Sequence, residues 1–127
     1  MKRRGILHAD LNAALSRLGH TDVVIVADCG LPIPRGVPVI DLALTQGVPR
    51  CEQVLDALID ELVIDRVVLA TEVQGTVAHP WFTARFASVG YVDHADFKAG
   101  LTTAALVIRT GEATPFANVA LTCGVAF

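Results

Sequence analysis

Hydrophobic positions along the chain follow two patterns, one helical and one continuous. The helical pattern comes first, with leucines at i, i+4 and i+7: Leu11, Leu15 and Leu18. Asp10 is the expected N-cap of this helix, and Gly19 is its expected stop. The continuous pattern follows at once, because Val23–Ala27 is a run of five apolar residues. Such a run is typical of a strand that is covered on both faces of a parallel sheet.

The rest of the chain continues this alternation. Further strands are expected at residues 39–44, 66–73, 104–109 and 119–122, and further helices after Pro49, through 81–87 and after His94. Glycines and prolines at 29–38 predict an irregular loop between the first two strands. Helices alternating with buried strands predict a single α/β domain over residues 1–127, with three α/β/α layers and a mainly parallel sheet.

Composition adds an expectation about assembly. Hydrophobic residues make up 53% of the 127 residues, and the mean hydropathy is +0.53. The longest apolar run nevertheless has five residues, whereas a membrane-spanning helix needs about 20. We therefore expect neither a membrane span nor an export signal. A domain of this size covers only about two thirds of its unfolded surface, so the apolar excess predicts a homo-oligomer.

Charge, cysteines and missing motifs exclude several partners and cofactors. The net charge is −3 and the only basic cluster is Lys2–Arg4, so nucleic acid is not an expected partner. The chain has three widely spaced cysteines: Cys29, Cys51 and Cys123. Their spacing predicts neither a zinc site nor a disulfide framework, and free thiols favour the reducing cytoplasm. The chain has no nucleotide-binding motif, and its four histidines lack metal-ligand spacing. No metal and no cofactor are expected.

The first strand is bracketed by ionisable residues. Asp28 follows it directly, at the carboxyl end where open parallel sheets bind ligands, although the same carboxylate could simply cap loop amides. His20 precedes the strand and suits acid–base chemistry near neutral pH. Asp22 lies two residues beyond His20, on the same side if the chain is extended, and a surface pair is the simpler interpretation.

Asn118 is a further candidate. Its amide both donates and accepts hydrogen bonds, as a sugar hydroxyl requires, although it also stands where a turn enters the last strand. Together with His20 and Asp28, this residue favours a small, polar, uncharged ligand over an anion.

Five segments of the sequence resemble the D-ribose pyranase family, a sister family of the L-fucose mutarotases. They occur in the family's order and spacing and extend over almost the whole chain: RLGHTD (17–22), ADCGLPIP (27–34), DLALTQGVP (41–49), HADFK (94–98) and RTGEATPFANVALTCGVAF (109–127). The GLPIP run is similar to the ribose enzymes rather than to the fucose mutarotases.

The resemblance implies a cytoplasmic isomerase that works without a cofactor. It would interconvert the pyranose and furanose rings, and the anomers, of free ribose through the open-chain aldehyde. His20 matches the family's proton donor, and the matches to its substrate contacts are Asp28, His94, Phe116, Ala117 and Asn118. The family forms ring-like homo-oligomers, commonly decamers, with sites completed between subunits. With the resemblance added, we expect His20 and Asp28 to form the core of one site.

One position departs from the family pattern. Phe116 stands where the family usually has tyrosine, which keeps the aromatic surface and removes a hydroxyl. A mutarotase for another sugar, such as fucose, is therefore an alternative. A non-catalytic sugar-binding module would use the same hydroxyl-binding groups without a proton donor. A plain α/β scaffold would leave the polar residues at the strand end unexplained.

Overall fold

The structure, a computed structural model, describes residues 1–127 and contains one six-stranded sheet. The strands lie in the order β2-β5-β1-β6-β3-β4. Strand β6 is antiparallel to both of its neighbours, whereas the other neighbouring strands pair in parallel. The strands are β1 (Val23–Ala27), β2 (Val39–Asp41), β3 (Ile64–Ala70), β4 (Gly90–Val92), β5 (Leu106–Arg109) and β6 (Val119–Cys123). The predicted mainly parallel sheet is confirmed.

Four short helices connect and cover the strands. They are α1 (Ala9–Leu15), α2 (Cys51–Ile59), α3 (His79–Thr83) and α4 (His94–Gly100), with 3-10 turns at Thr71–Val73 and Leu101–Thr103. Arg85 follows α3 and braces it to α2 through ion pairs with Glu52 and Asp56 at 2.8 and 2.6 Å. None of these helices is long and apolar enough to cross a membrane.

Side chains of β1 alternate between two apolar layers. Val24 and Val26 point into a cluster of 19 buried residues, which includes Leu11 of α1, Leu55 of α2 and Phe82 of α3. The opposite face of β1 contributes to a cluster of only 8 buried residues. Its members are Ile25, Ala27, Leu31, Ala70, Phe97, Leu101, Ala104 and Val107. The sheet therefore lies between two layers of unequal thickness, and the predicted three-layer architecture is confirmed.

The first helix begins differently from the expectation. His8, not Asp10, is the N-cap, because its Nδ1 accepts a hydrogen bond from the N–H of Leu11 at 3.1 Å. Asp10 lies in the first turn, where its charge is favourable to the helix dipole. The helix ends at Leu15, short of the expected stop at Gly19.

Several strand limits differ from the expectation. The bounds predicted for β1 are confirmed, but β2 ends at Asp41 and β3 gives way to a 3-10 turn after Ala70. Strand β4 was not predicted at all. All three of its residues are exposed, so it has no apolar run and no alternation, and only its pairing with β3 defines it.

Candidate active site

Asp28 and Asn118 form a reciprocal hydrogen-bonded pair at the carboxyl end of β1. The Asp28 N–H donates to Asn118 Oδ1 at 2.7 Å, and Asn118 Nδ2 donates to Asp28 Oδ2 at 2.9 Å. The two residues meet because β6 runs antiparallel to β1, which places the start of one strand beside the end of the other. Asn118 is fully buried, whereas Asp28 is half-buried, so the amide orients a carboxylate that remains accessible.

The Asp28 carboxylate also organises the loop that follows it. Its Oδ1 accepts the N–H of Gly30 at 2.9 Å, which is the loop-capping role considered from the sequence. A carboxylate has about four acceptor positions, and these two bonds leave others free. Capping and ligand binding are therefore compatible at Asp28.

The turn before Asn118 holds an aromatic residue in an unusual backbone conformation. Phe116 has a φ of 62°, in the left-handed region that costs a bulky residue about 1–3 kcal/mol. The Asn118 N–H donates to the Phe116 carbonyl at 2.8 Å, and Ala117 is fully buried between them. Strain of this kind is maintained by the surrounding structure and is concentrated at functional sites.

His94 completes this cluster. Its ring packs edge-on against the ring of Phe116, with centroids 5.1 Å apart and an interplanar angle of 86°. The residue begins α4, where Asp93 is the N-cap, and its N–H donates to Glu72 Oε1 at 3.1 Å. The Nδ1 atom of His94 is buried and has no hydrogen-bond partner, so the imidazole is held by packing.

These residues come from neighbouring strand ends. Asp28 follows β1, Asn118 precedes β6, Glu72 follows β3 and His94 follows β4. Those strands are adjacent in the sheet, so five of the six site residues proposed from the sequence lie at one end of it, the carboxyl end of β1. The five are Asp28, His94, Phe116, Ala117 and Asn118.

His20 lies at the opposite end of the sheet, the amino end of β1. It precedes β1, and a strand of five residues spans about 17 Å at 3.3 Å per residue. Within one chain His20 and Asp28 therefore do not share a site, contrary to the simplest interpretation of the bracketed strand. His20 opens beside a pocket of about 480 Å³ whose lining includes Leu18, Leu62 and Phe127.

The expected pairing of His20 with Asp22 is wrong. Thr21 has a φ of 71°, which interrupts the extended backbone that would point both side chains the same way. Asp22 accepts the Gly19 N–H at 2.7 Å instead. The carboxylate nearest to the His20 ring is Asp65, with Nε2 and Oδ2 3.7 Å apart and both side chains more than half exposed. Sequence reasoning missed Asp65 because it lies at the start of β3, distant in sequence from His20.

Two cysteines are chemically inert at neutral pH. Burial, followed by the nearby charge of Glu112, raises the pKa of the Cys51 thiol to about 12. Burial, followed by the charge of Asp22, also raises the pKa of Cys123. Neither thiol is a nucleophile under these conditions. No three His, Cys, Asp or Glu side chains are grouped closely enough to hold a metal ion.

Comparison with known proteins connects this geometry to one family. Residues 1–126 match the RbsD / FucU transport protein family. The chain belongs to the RbsD / FucU family.

Several members of the RbsD / FucU family are similar over their whole length. D-ribose pyranase of Cutibacterium acnes is 48% identical over 127 residues, covering 100% of both chains. D-ribose pyranase of Geobacillus thermodenitrificans is 49% identical over 131 residues, covering 100% of this chain and 99% of the relative.

Solved structures of the RbsD / FucU family share the fold. The structure of Bacillus subtilis RbsD complexed with D-ribose has a TM-score of 0.94 and 39% identity, with 100% of both chains covered. The fucose mutarotase of Streptococcus pneumoniae in complex with L-fucose has a TM-score of 0.79 at 23% identity, covering 95% of each chain, and supports the fold alone.

Proposed function

We propose that this protein is a D-ribose pyranase, an isomerase that interconverts the pyranose and furanose rings of free ribose and their anomers. The observation that carries the proposal is the full-length match to a family structure that holds D-ribose, with a TM-score of 0.94 at 39% identity. Relatives of similar length that are named D-ribose pyranase support it at 48% and 49% identity.

The carboxyl-end cluster is proposed to bind the sugar. Asp28 has free acceptor positions for hydroxyl groups, and Asn118 holds it in one orientation. Phe116 and His94 provide an aromatic wall against which the apolar face of a sugar ring can pack. This combination of one oriented carboxylate and an aromatic surface suits a neutral polyol.

His20 is proposed to move the proton. Ring opening places a proton on the ring oxygen, removes one from the anomeric hydroxyl and breaks the bond between the anomeric carbon and the ring oxygen. The resulting aldehyde closes again through a different hydroxyl, which gives the other ring size. An imidazole can donate and take back the proton near pH 7, so no cofactor is required by this chemistry.

The separation of His20 from Asp28 favours a site shared between subunits. If the amino end of one sheet meets the carboxyl end of the next, His20 of one chain reaches the sugar held by its neighbour. Such a head-to-tail contact repeats from chain to chain, and it closes into a ring when the rotation between neighbours divides a full turn. We propose a ring-like homo-oligomer, a decamer as in the family resemblance, working in the cytoplasm.

Exposed apolar residues at both ends of the sheet support this contact. At the carboxyl end, Leu44 and Val77 are 81% and 71% exposed. At the amino end, Val63 and Phe127 are 45% and 104% exposed. Apolar side chains at both ends are what a head-to-tail interface would cover.

A second candidate follows from one residue. Phe116 lacks the hydroxyl that tyrosine would present to the sugar, which favours a mutarotase for another sugar, such as fucose. Measuring ring exchange on a panel of sugars that includes ribose and fucose separates the two candidates.

Saturation-transfer NMR between the ring forms of ribose tests the proposal. We expect exchange to accelerate with protein in the presence of EDTA, and light scattering to give a mass several times 13.4 kDa. Acceleration only with fucose would select the second candidate. Sugar binding without acceleration of any exchange would contradict catalysis and leave a binding module.

A further inference from the structure

Glu112 is a buried carboxylate to which the proposed reaction gives no role. It is 6% exposed, and its oxygens accept three hydrogen bonds. Oε2 accepts the N–H of Cys51 at 3.2 Å, at the start of α2. Oε1 accepts the N–H of Thr114 at 3.2 Å and its hydroxyl at 2.9 Å. The carboxylate therefore ties the start of a helix to the loop that leads into Phe116.

The backbone of the same residue holds the chain around Asp28. The Cys29 N–H donates to the Glu112 carbonyl at 2.8 Å. The Glu112 N–H donates to the hydroxyl of Thr110 at 3.1 Å, and that hydroxyl donates to the Ala27 carbonyl at 2.8 Å. The residues on both sides of Asp28 are thus fixed to residues 110–112.

The neighbouring glycine fixes the position of this segment. A Cβ on Gly111 would collide with the carbonyl oxygens of Val48 and Thr45, so only glycine fits against that loop. The Gly111 N–H donates to the Pro49 carbonyl at 2.9 Å. Glu112 therefore acts from an anchored backbone.

Thr114 transmits the position of Glu112 to the aromatic turn. The Thr114 carbonyl accepts the N–H of Ala117 at 3.3 Å, and this turn contains Phe116 in its left-handed conformation. Asn118 follows directly. The Glu112 carboxylate accepts two hydrogen bonds from Thr114 at the start of the turn. By holding Thr114 in place, it helps to maintain the strained backbone within the turn.

We propose that Glu112 is a positioning residue for sugar binding: it sets Asp28 from its backbone and the Phe116–Asn118 turn from its carboxylate. This inference rests on the proposed function and assigns Glu112 no contact with the sugar or with the transferred proton. It predicts a change in sugar affinity with little change in proton transfer, because the proposed proton donor, His20, comes from the neighbouring chain and has no bond to Glu112 or Thr114.

Glu112→Gln tests the carboxylate. Glutamine keeps the size, but donors approach both oxygens of Glu112, so one of them would face the amide NH₂. We expect KM for ribose exchange to rise about tenfold, the size of one lost hydrogen bond to a charged group, while kcat and its pH profile stay close to wild type. The matched control is Glu52→Gln, which removes a carboxylate that faces Arg85 instead.

Thr114 provides an independent pair of variants. Thr114→Val keeps the shape and removes the hydroxyl that Glu112 accepts, whereas Thr114→Ser keeps the hydroxyl. We expect KM to rise in the valine variant and to stay near wild type in the serine variant. If Glu112→Gln fails to fold, this pair decides, and equal KM values for valine and serine would overturn the proposal.

A purely structural role gives a different result. Glu112→Gln would then lower the melting temperature and leave KM unchanged, which would also overturn the proposal. The side-chain amide signals of Asn118 in the sugar-free protein give a readout that does not depend on activity. They should shift in Glu112→Gln and Thr114→Val. They should stay in place in Glu52→Gln and Thr114→Ser. If wild type showed no ribose exchange, the proposed function would fail, and these signals alone would decide whether Glu112 positions the turn.

Discussion

Asp28 and Asn118 at the carboxyl end of β1 exchange two hydrogen bonds of 2.7 and 2.9 Å, whereas His20 at its amino end is 3.7 Å from the Asp65 carboxylate. The first pair includes a fully buried amide, and both side chains of the second are more than half exposed. Recognition of hydroxyl groups requires fixed acceptors, and the carboxyl end provides them. The proposed proton donor must lie at the surface if it is to serve a neighbouring chain, and His20 does lie there.

The largest effect on ribose exchange is expected at the amino end of β1, where His20 is exposed. His20→Gln keeps size and polarity but removes the imidazole that would transfer the proton, so ribose exchange should fall by about 10²–10⁴-fold while sugar binding and assembly are retained. His79→Gln is the matched control, because that histidine pairs with the Tyr91 hydroxyl on the surface. The measurement is saturation-transfer NMR at several ribose concentrations. Wild-type exchange in His20→Gln would remove His20 from the mechanism.

A change at the fixed end should act on binding. Two N–H groups approach different oxygens of Asp28, so Asp28→Asn places an amide NH₂ against one of these donors. We expect ribose affinity to fall about tenfold and stability to fall by about 1–2 kcal/mol. Calorimetric titration with ribose and urea denaturation measure the two quantities. Unchanged affinity would show that Asp28 only caps its loop.

The free energy of unfolding above pH 9 should report the burial of Cys51, which lies at the carboxyl end of the sheet. The pKa of Cys51 is raised from 9.0 to about 12, so the folded state keeps a proton that the unfolded chain loses above pH 9. The free energy of unfolding should therefore fall between pH 9 and 12, by up to about 1.4 kcal/mol per pH unit from this group.

Cysteine-to-alanine variants separate this contribution from other alkaline titrations. Cys51→Ala should flatten the decline above pH 9 more than Cys123→Ala, measured by urea denaturation at one protein concentration. Equal slopes in the two variants would contradict the larger rise in pKa assigned to Cys51.

The smallest effect is expected at Phe116. Phe116→Tyr restores one hydroxyl, and a hydrogen bond is worth about 0.5–1.5 kcal/mol net. We expect an unchanged fold and a several-fold change in KM for at least one sugar of a panel containing ribose and fucose. Identical constants throughout the panel would show that position 116 does not contact the substrate.

Local pattern was sufficient for the parts of the fold that bury apolar residues. The continuous run at Val23–Ala27 predicted β1 with its observed limits, and the alternation of helices and strands predicted the layers. Strand β4 gave no such pattern, because its three residues are exposed and only the pairing with β3 defines it. The His8 cap was missed because aspartate is the commoner N-cap.

The residues of the candidate site were proposed from the sequence and from its resemblance to a family, but their geometry was not. Asp28 and Asn118 are 90 positions apart, and their pairing depends on the antiparallel placement of β6. The contact between Glu112 and Cys51 spans 61 positions and left no local pattern. The distance between His20 and Asp28, in contrast, follows from the length of the strand between them.

Mixed oligomers test the shared site most directly. His20→Gln and Asp28→Asn chains with different tags are co-expressed, and oligomers that carry both tags are purified. In a random equal mixture, about a quarter of head-to-tail sites contain His20 from one chain and Asp28 from its neighbour. At a ribose concentration well below the KM of wild type and of both parent variants, where the weakened binding of Asp28→Asn lowers the rate, we predict that ribose exchange returns to about that fraction of the wild-type rate. Exchange no faster than the sum of the two parent variants would contradict a site built from opposite ends of two chains.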